Sequence, residues 1–273
     1  MRALILMAFV MIGIASAAPH VIIVDPVVHT ISEGETLDLG VVGPGQRLEV
    51  EIRSGTGEPD FQGEEKDWDR LLVDESSLPI GWEQLDSKYY ERIMKAFVIV
   101  SPLAPDGEYA FALRTFDEYQ GTDPVRFNAK VKVSRDVFRF QVLQEDVTAG
   151  TDQPAVYAMK LQNLGSASDA FRIEVAEGLP SKWAYTRDVF VPHNTEQTIQ
   201  FELVGTDQGE YNVHFTATSL SSAEIQGDQY AGLIVRSSII EEMKAAGRGM
   251  LLFPTIEQIV YNLIGLIAIN AFE

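Results

Sequence analysis

Apolar and polar residues alternate over short stretches through most of the chain between residues 20 and 236. In the stretch 47–53, Leu48, Val50 and Ile52 share one face and charged residues share the other. A period of two residues is typical of a half-buried antiparallel β-strand. Similar apolar or alternating stretches follow at 96–100, 109–113, 127–133, 138–142, 155–161, 171–175, 199–203, 211–215 and 230–235. Clusters of Gly, Pro and Asp separate them, and the pattern therefore predicts an all-β body.

The chain also repeats one sequence pattern about a hundred residues later. The residues Asp-Trp-Asp-Arg-Leu-Leu-Val at 67–73 return as Asp-Ala-Phe-Arg-Ile-Glu-Val at 169–175, and each copy is followed by Leu-Pro-x-x-Trp and then Gly-Glu-Tyr. Matched spacing over such a length predicts two copies of one fold unit. Short strands separated by frequent turn signals favour an immunoglobulin-like β-sandwich. We therefore expect two tandem sandwiches, at residues 20–134 and 136–236.

The repeated Leu-Pro-x-x-Trp stretch indicates where each core lies. Proline cannot donate to a β-ladder, so it ends a strand, and the indole a few residues later can fill the space between two sheets. The spacing from Trp82 to Tyr109 matches that from Trp183 to Tyr211 to within one residue. We expect all four aromatic side chains in the two cores.

Four stretches of the second copy carry a resemblance to a known family. They are Asn-Leu-Gly at 163–165, Leu-Pro-Ser-Lys-Trp at 179–183, Val-Pro-His-Asn-Thr at 191–195 and Gly-Glu-Tyr-Asn-Val at 209–213. They resemble the NEW3 type of immunoglobulin-like domain, which is associated with alpha-galactosidases and occurs as repeats in prokaryotic, especially archaeal, surface and membrane proteins. The resemblance covers about residues 138–236 and the first copy less well. It implies a sandwich in a surface protein and supplies no catalytic residues.

Both ends of the chain are apolar. Residues 1–17 combine a basic start, an apolar run and an Ala-Ser-Ala end, which predict a secretory signal peptide, with an uncleaved anchor as the alternative. Residues 250–272 are mostly apolar and reach the ~20 residues that a transmembrane helix needs. A helix lying in the membrane interface and a buried core helix are the alternatives. In either membrane-bound arrangement, residues 237–249 form a stalk.

The apolar segment near the C-terminus carries a stripe of polar and small residues. At helical spacing one face collects Glu257, Gln258, Asn262 and Gly265. Helices in membranes pack through small and polar residues because lipid provides no hydrophobic driving force between them. We therefore expect this stripe to contact a partner helix.

Composition and missing motifs exclude several classes of function. The chain contains no cysteine, which excludes thiol nucleophiles, CxxC redox chemistry and thiolate zinc sites. Its net charge of −19 argues against nucleic acid as a partner. The sequence also contains no nucleophile elbow, phosphate loop or dinucleotide fingerprint. We expect a protein that is not an enzyme and uses no cofactor.

Two features of the first copy are candidate binding sites. The acidic loop 58–69 offers weak calcium ligands in Asp60, Glu64, Asp67 and Asp69, although a solvated loop without metal explains the same residues. Trp68 stands where the second copy has Ala170, so the repeated core does not require an indole there. Trp68 is a candidate contact for a glycan or a protein, and the alternative is a cap on the sandwich edge.

Three tyrosines near turns of the first copy, Tyr89, Tyr90 and Tyr119, together with Phe116, form a third candidate. Exposed tyrosines on loops mark contact surfaces, and the alternative is that they fold onto the domain. The features together predict an exported, non-catalytic protein of the cell surface or envelope. Two sandwiches project from a C-terminal membrane helix and serve adhesion, envelope structure or binding of a membrane partner. The alternative function is a carbohydrate-binding module for envelope glycans.

Overall fold

The computed structural model describes residues 18–151, 153–179, 186–204 and 207–236. Their contacts divide them into two compact units. Unit 1 contains the described residues up to Arg135 together with Gly165–Ala167, and unit 2 contains Asp136–Leu164 and the described residues from Ser168 onward. Both units are all-β, as the alternation predicts. The signal peptide, the stalk and the C-terminal helix that the sequence predicts lie outside the described residues.

No helix among the described residues is long and apolar enough to span a membrane.

Unit 1 is a sandwich of two sheets. Its strands are β1 (Val21–Asp25), β2 (His29–Ile31), β3 (Thr36–Val42), β4 (Arg47–Arg53), β5 (Gly55–Pro59), β6 (Glu65–Asp67), β7 (Arg70–Val73), β8 (Glu83–Leu85), β9 (Ile93–Ile99), β10 (Gly107–Phe116) and β11 (Arg126–Val133), with one 3₁₀ turn at Glu75–Ser77. One sheet has the order β2-β1-β4-β9-β8 and the other the order β3-β11-β10-β7. Strands β5 and β6 form a separate hairpin between β4 and β7.

The described residues of unit 2 form eight strands in the same manner. They are β12 (Phe138–Val142), β13 (Asp146–Gly150), β14 (Pro154–Asn163), β15 (Asp169–Glu177), β16 (Thr186–Val191), β17 (Glu196–Val204), β18 (Gly209–Ser219) and β19 (Gln226–Arg236). The sheets have the orders β12-β14-β17 and β13-β19-β18-β15-β16. In each unit one strand runs parallel to the last strand, β3 beside β11 and β13 beside β19.

The strand order of both units is that of an immunoglobulin-like sandwich. In that fold the first, second and fifth strands (A, B and E) share one sheet, while C, F and G share the other. Unit 1 places β1, β4 and β9 together and opposes them with β7, β10 and β11, and unit 2 repeats this division. The strand after C differs, because β8 pairs with β9 whereas β16 pairs with β15.

The repeated sequences occupy equivalent positions in the two units. Leu71 on β7 lies opposite Thr115 on β10, and Ile173 on β15 lies opposite Ala217 on β18. The Gly-Glu-Tyr starts of β10 and β18 likewise pair in one register with the ends of β11 and β19. In β15, β18 and β19, the residues of the second copy therefore stand a constant number of positions after their counterparts in β7, β10 and β11.

Apolar side chains fill the space between the sheets of each unit. In unit 1 the Trp82 indole is 7% exposed, and its ring centroid lies 5.3 Å from that of Tyr109 and 6.3 Å from that of Phe111. In unit 2 the buried Phe215 ring contacts Tyr157 and Phe201, with centroids 5.0 and 5.8 Å apart. Trp183, expected in the second core, lies outside the described residues.

Asp86 and Ser87 cover the free edge of β7 with hydrogen bonds. The Leu71 N–H donates to the Ser87 hydroxyl at 2.8 Å, and the Val73 N–H donates to the Asp86 carboxylate at 2.9 Å. The Ser87 N–H donates in turn to the Leu71 carbonyl at 3.0 Å. Side chains and one backbone group thus occupy the hydrogen-bonding positions that a neighbouring strand would otherwise use.

Tyr109 and Tyr211 are half-buried, with their hydroxyls directed back to the preceding loop. The Tyr109 hydroxyl donates to the Pro105 carbonyl at 3.0 Å, and the Tyr211 hydroxyl donates to the Asp207 carbonyl at 3.1 Å. Both tyrosines begin the sixth sandwich strand, F, and bond four residues upstream, which is the geometry of the tyrosine corner of this fold. The sequence predicts that both tyrosines are core residues. The structure places them at the edge of the core, because each hydroxyl needs a polar partner.

We expect Tyr109→Phe and Tyr211→Phe each to lower the free energy of unfolding by about 1 kcal/mol, since each removes one hydrogen bond. Chemical denaturation of the two variants measures the change. Tyr230→Phe is the matched control, because the Tyr230 hydroxyl of unit 2 makes no hydrogen bond to any described residue. Equal stability of all three variants would show that the corner hydrogen bonds contribute nothing.

Candidate functional site

Three exposed tyrosines lie together at one end of unit 1. The side chains of Tyr89, Tyr90 and Tyr119 are 46, 61 and 74% exposed. Tyr89 and Tyr90 lie in the loop before β9, and Tyr119 lies in the loop between β10 and β11. We call these three side chains the tyrosine surface. Its exposure agrees with a contact surface rather than with loop residues folded onto the domain.

Tyr89 and Tyr90 are held in place by an arginine and by hydrogen bonding of the backbone. The Arg70 guanidinium lies 4.7 Å from the ring centroid of Tyr89 and pairs with Asp86 at 3.4 Å. The Tyr89 and Tyr90 rings approach to 5.6 Å. Tyr90 has a φ of 60°, in the left-handed region that a bulky residue rarely adopts. Its N–H donates to the Asp69 carbonyl at 2.9 Å, which holds this backbone conformation in place.

The loop that carries Tyr119 is organised around one carboxylate. Asp117 accepts hydrogen bonds from the N–H groups of Tyr119, Gln120 and Thr122 at 2.9, 2.8 and 2.6 Å. Burial opposes the ionisation of Asp117, but these donors outweigh it and hold its pKa below the usual value. The Gln120 side-chain oxygen also accepts from the Asp67 N–H at 2.8 Å, which joins this loop to the β5–β6 hairpin.

A cleft of about 550 Å³ lies on the hairpin side of this end of unit 1. It is lined by Ile22, Arg53, Ser54, Gly55, Glu65, Asp67, Arg92 and Ile93. A smaller cavity of about 210 Å³ shares Ser54, Asp67 and Arg92 with it and extends to Tyr90 and Gln120. The smaller cavity therefore lies between the cleft and Tyr90, and we treat the cleft and the tyrosine surface as one candidate site.

The acidic loop does not assemble a calcium site. Asp60 accepts from the N–H groups of Gln62 and Glu64 within its own turn, and Asp67 accepts from the Ser54 hydroxyl at 2.7 Å. Asp69 is buried, and its carboxylate accepts from the Glu118 N–H at 2.6 Å. Among the described residues no group of three or more acidic or histidine side chains is placed to hold a metal ion. Three of the four proposed calcium ligands, Asp60, Asp67 and Asp69, instead stabilise the loop through hydrogen bonds.

The hypothesis that Trp68 contacts a glycan or protein is wrong. Trp68 is 1% exposed and belongs to the core of unit 1, where its indole N–H donates to the His20 carbonyl at 3.3 Å. The β5–β6 hairpin immediately precedes Trp68 in unit 1, and the indole is part of the core. Ala170 stands at the matching position of the second copy, so the difference in sequence reflects packing and not binding.

Arg53 and Arg92 are functional candidates that sequence reasoning missed. They lie far apart in the sequence, and only the pairing of β4 with β9 brings them to one cleft. No spacing rule marks such a pair. The predicted partner-helix contacts Glu257, Gln258, Asn262 and Gly265 lie outside the described residues.

Comparisons with known proteins identify no relative. No family model matches the chain, and no curated protein matches it. Among solved structures, a chimeric titin Z1Z2 carrying a decorin peptide aligns with a TM-score of 0.35 at 12% identity, over 81% of this chain and 100% of that one. The PapD-like domain 7 of human CEP192 gives 0.26 at 10% identity, over 38% and 88%. A beta-glucosidase from Listeria innocua gives 0.27 at 10% identity, over 37% and 16%.

Tyr90 provides a pH-dependent probe of the tyrosine surface. Partial desolvation, and hydrogen bonds with Tyr119 and Glu118, raise the pKa of Tyr90 from 10.0 to about 12. Between pH 10 and about pH 12, the Tyr90 hydroxyl therefore keeps its proton in the folded protein but has lost it in the unfolded chain. Stability from this group is complete below pH 10 and disappears as the pH rises toward 12.

We expect the absorbance difference between the wild type and Tyr90→Phe to show a phenol that ionises near pH 12. Ultraviolet titration of the folded proteins measures it. Tyr230→Phe serves as the control, since it removes an exposed phenol from unit 2. A Tyr90 phenol that ionises near its ordinary pKa would contradict the contacts with Tyr119 and Glu118.

Proposed function

We propose that the protein is an exported, non-catalytic surface protein that binds a partner protein through the tyrosine surface of unit 1. In this proposal the segment 1–17 directs export, and the segment 250–272 holds the two sandwiches at the outer side of the membrane. The stripe formed by Glu257, Gln258, Asn262 and Gly265 contacts a second helix there. Adhesion, support of the envelope and binding of a membrane protein all fit this arrangement.

The tyrosine surface is the observation that carries the proposal. Binding residues are concentrated on loops that a rigid scaffold positions. Tyrosine offers a large apolar ring and a polar hydroxyl at a small cost in conformational entropy, and it is common in the binding loops of immunoglobulin domains for this reason. Tyr89 is held under Arg70, and Tyr90 is held by its backbone, so ordering on binding costs little.

The titratable groups around the tyrosine surface support binding rather than catalysis. Asp69 and Asp117 accept backbone N–H donors and shape the loops, and Asp86 pairs with Arg70 and with the edge of β7. These three carboxylates thus hold the surface in one conformation, and the Glu118 carboxylate accepts from the Tyr90 hydroxyl at 3.3 Å. A general acid or base requires a group directed at a substrate instead.

The carbohydrate-binding alternative loses the residue on which it rests, because Trp68 is buried. A glycan would have to stack on the tyrosine surface in its place. Binding to a glycan array that Tyr119→Ala abolishes would favour this alternative over a protein partner.

We expect the full chain to remain with membranes after a carbonate wash and a chain truncated after residue 249 to be soluble and folded. In the proposal the apolar segment that follows supplies the membrane affinity that the truncated chain lacks. Fractionation of the expressed proteins measures this, with circular dichroism of the truncated form as the control for folding. If both forms are soluble, the membrane part of the proposal is refuted.

We also expect a photo-crosslinking residue at Tyr119 to form a covalent adduct with a partner in the native cells. Tyr89→Ala and Tyr90→Ala should reduce that adduct several-fold, because they remove neighbouring contact area. The matched control places the crosslinker at Tyr230, which is 57% exposed on unit 2. The same adduct from both positions, or one insensitive to the alanine variants, would overturn the assignment of this surface.

A further inference from the structure

Two arginines in the cleft of unit 1 lack acidic partners. Arg53 ends β4, and Arg92 immediately precedes β9, where the Ser54 N–H donates to the Arg92 carbonyl at 3.1 Å. Both side chains are exposed, and both line the cleft of about 550 Å³. Within the described part of the chain neither arginine forms an ion pair. In a protein with 40 acidic and 21 basic residues, two arginines that line one cleft without forming an ion pair are unexpected.

The two acidic residues of the cleft are committed elsewhere. Glu65 accepts from the Gly57 N–H at 2.9 Å, and Asp67 accepts from the Ser54 hydroxyl at 2.7 Å. The Glu65 carboxylate lies directly over Gly55, where a β-carbon would approach its oxygen to 2.5 Å. The glycine therefore lets Glu65 fold onto the hairpin backbone. Both carboxylates stabilise the hairpin and leave the arginines available.

The chemistry of the cleft suits one acid group. Guanidinium presents N–H donors in a planar fork that matches carboxylate, sulfate and phosphate oxygens, and such charge-assisted hydrogen bonds are stronger than neutral ones. Ile22 and Ile93 add apolar area beside the two charges. The smaller cavity connects Arg92 with Tyr90. A group held by the arginines therefore lies next to the tyrosine surface.

We propose that the cleft between Arg53 and Arg92 is a binding site for a single acid group, either a carboxylate or a sulfate or phosphate ester. A polyanion is disfavoured, because the net charge of −19 repels it at long range. That this acid group belongs to the partner held by the tyrosine surface rests on the proposed function. Binding of the anion itself does not.

The test uses the purified full chain and three simple probes, namely acetate, sulfate and inorganic phosphate. Each is titrated at constant ionic strength against chloride, and the side-chain N–H signals of the arginines are followed by NMR. We expect saturable shifts of two arginine signals, assigned by their loss in Arg53→Gln and Arg92→Gln. Each variant should weaken binding at the remaining arginine about tenfold, because the anion loses one charged donor. Tighter binding of acetate indicates a carboxylate ligand, and tighter binding of sulfate or phosphate indicates an ester.

Arg236→Gln is the matched control, because Arg236 is an exposed arginine of unit 2 and its replacement removes the same charge. It should leave the binding constants unchanged. Shifts that increase linearly without saturation, or that are equal at Arg236, would overturn the proposal. If anion binding is present but the crosslinked adduct is absent, the cleft stands and the partner-binding function fails. If the adduct forms without anion binding, the partner-binding function stands and the proposed anion site in the cleft fails.

Discussion

The fold depends on burying one face of each sheet against the other without a covalent link. Immunoglobulin domains commonly join their two sheets with a disulfide between B and F, and this chain has no cysteine. Close packing of apolar side chains must therefore supply the attraction, at about 25 cal/mol per Å² of apolar surface buried. Trp82 and Phe111 in unit 1, and Tyr157 and Phe215 in unit 2, occupy this position between the sheets. Trp82 lies just before β8, so the segments between strands also contribute side chains to this contact.

Much of the fold could be predicted from the sequence, because burial on one face leaves a period of two. The stretch 47–53 forms β4 over the residues that the alternation indicates, and the repeat places β7 with β10 as it places β15 with β18. The sheet assignment of the strand after C could not be predicted. That choice depends on which neighbour offers the better hydrogen-bonding edge, and β8 is too short to carry a pattern.

The candidate site was less predictable than the fold. Tyrosines near turns could be identified as exposed, since turns lie at the surface. The burial of Trp68 could not be predicted, because the second copy has Ala170 at the matching position and gives no sign that the first core contains an indole there. The acidic loop suggested a metal because composition shows oxygen atoms but not the N–H groups that already occupy them. Arg53 and Arg92 meet only through strand pairing, which is a property of the assembled sheet.

The closure of β7 by Ser87 and Asp86 has a consequence for a chain that holds two similar sandwiches. Tandem domains with related sequences can exchange strands or associate edge to edge while they fold. A strand that approaches β7 must first displace the Ser87 and Asp86 hydrogen bonds to Leu71 and Val73. In the other unit β16 occupies the corresponding edge of the sheet. The same position is thus protected by side chains in one copy and by a whole strand in the other, so an intruding segment that fits one edge does not fit its counterpart.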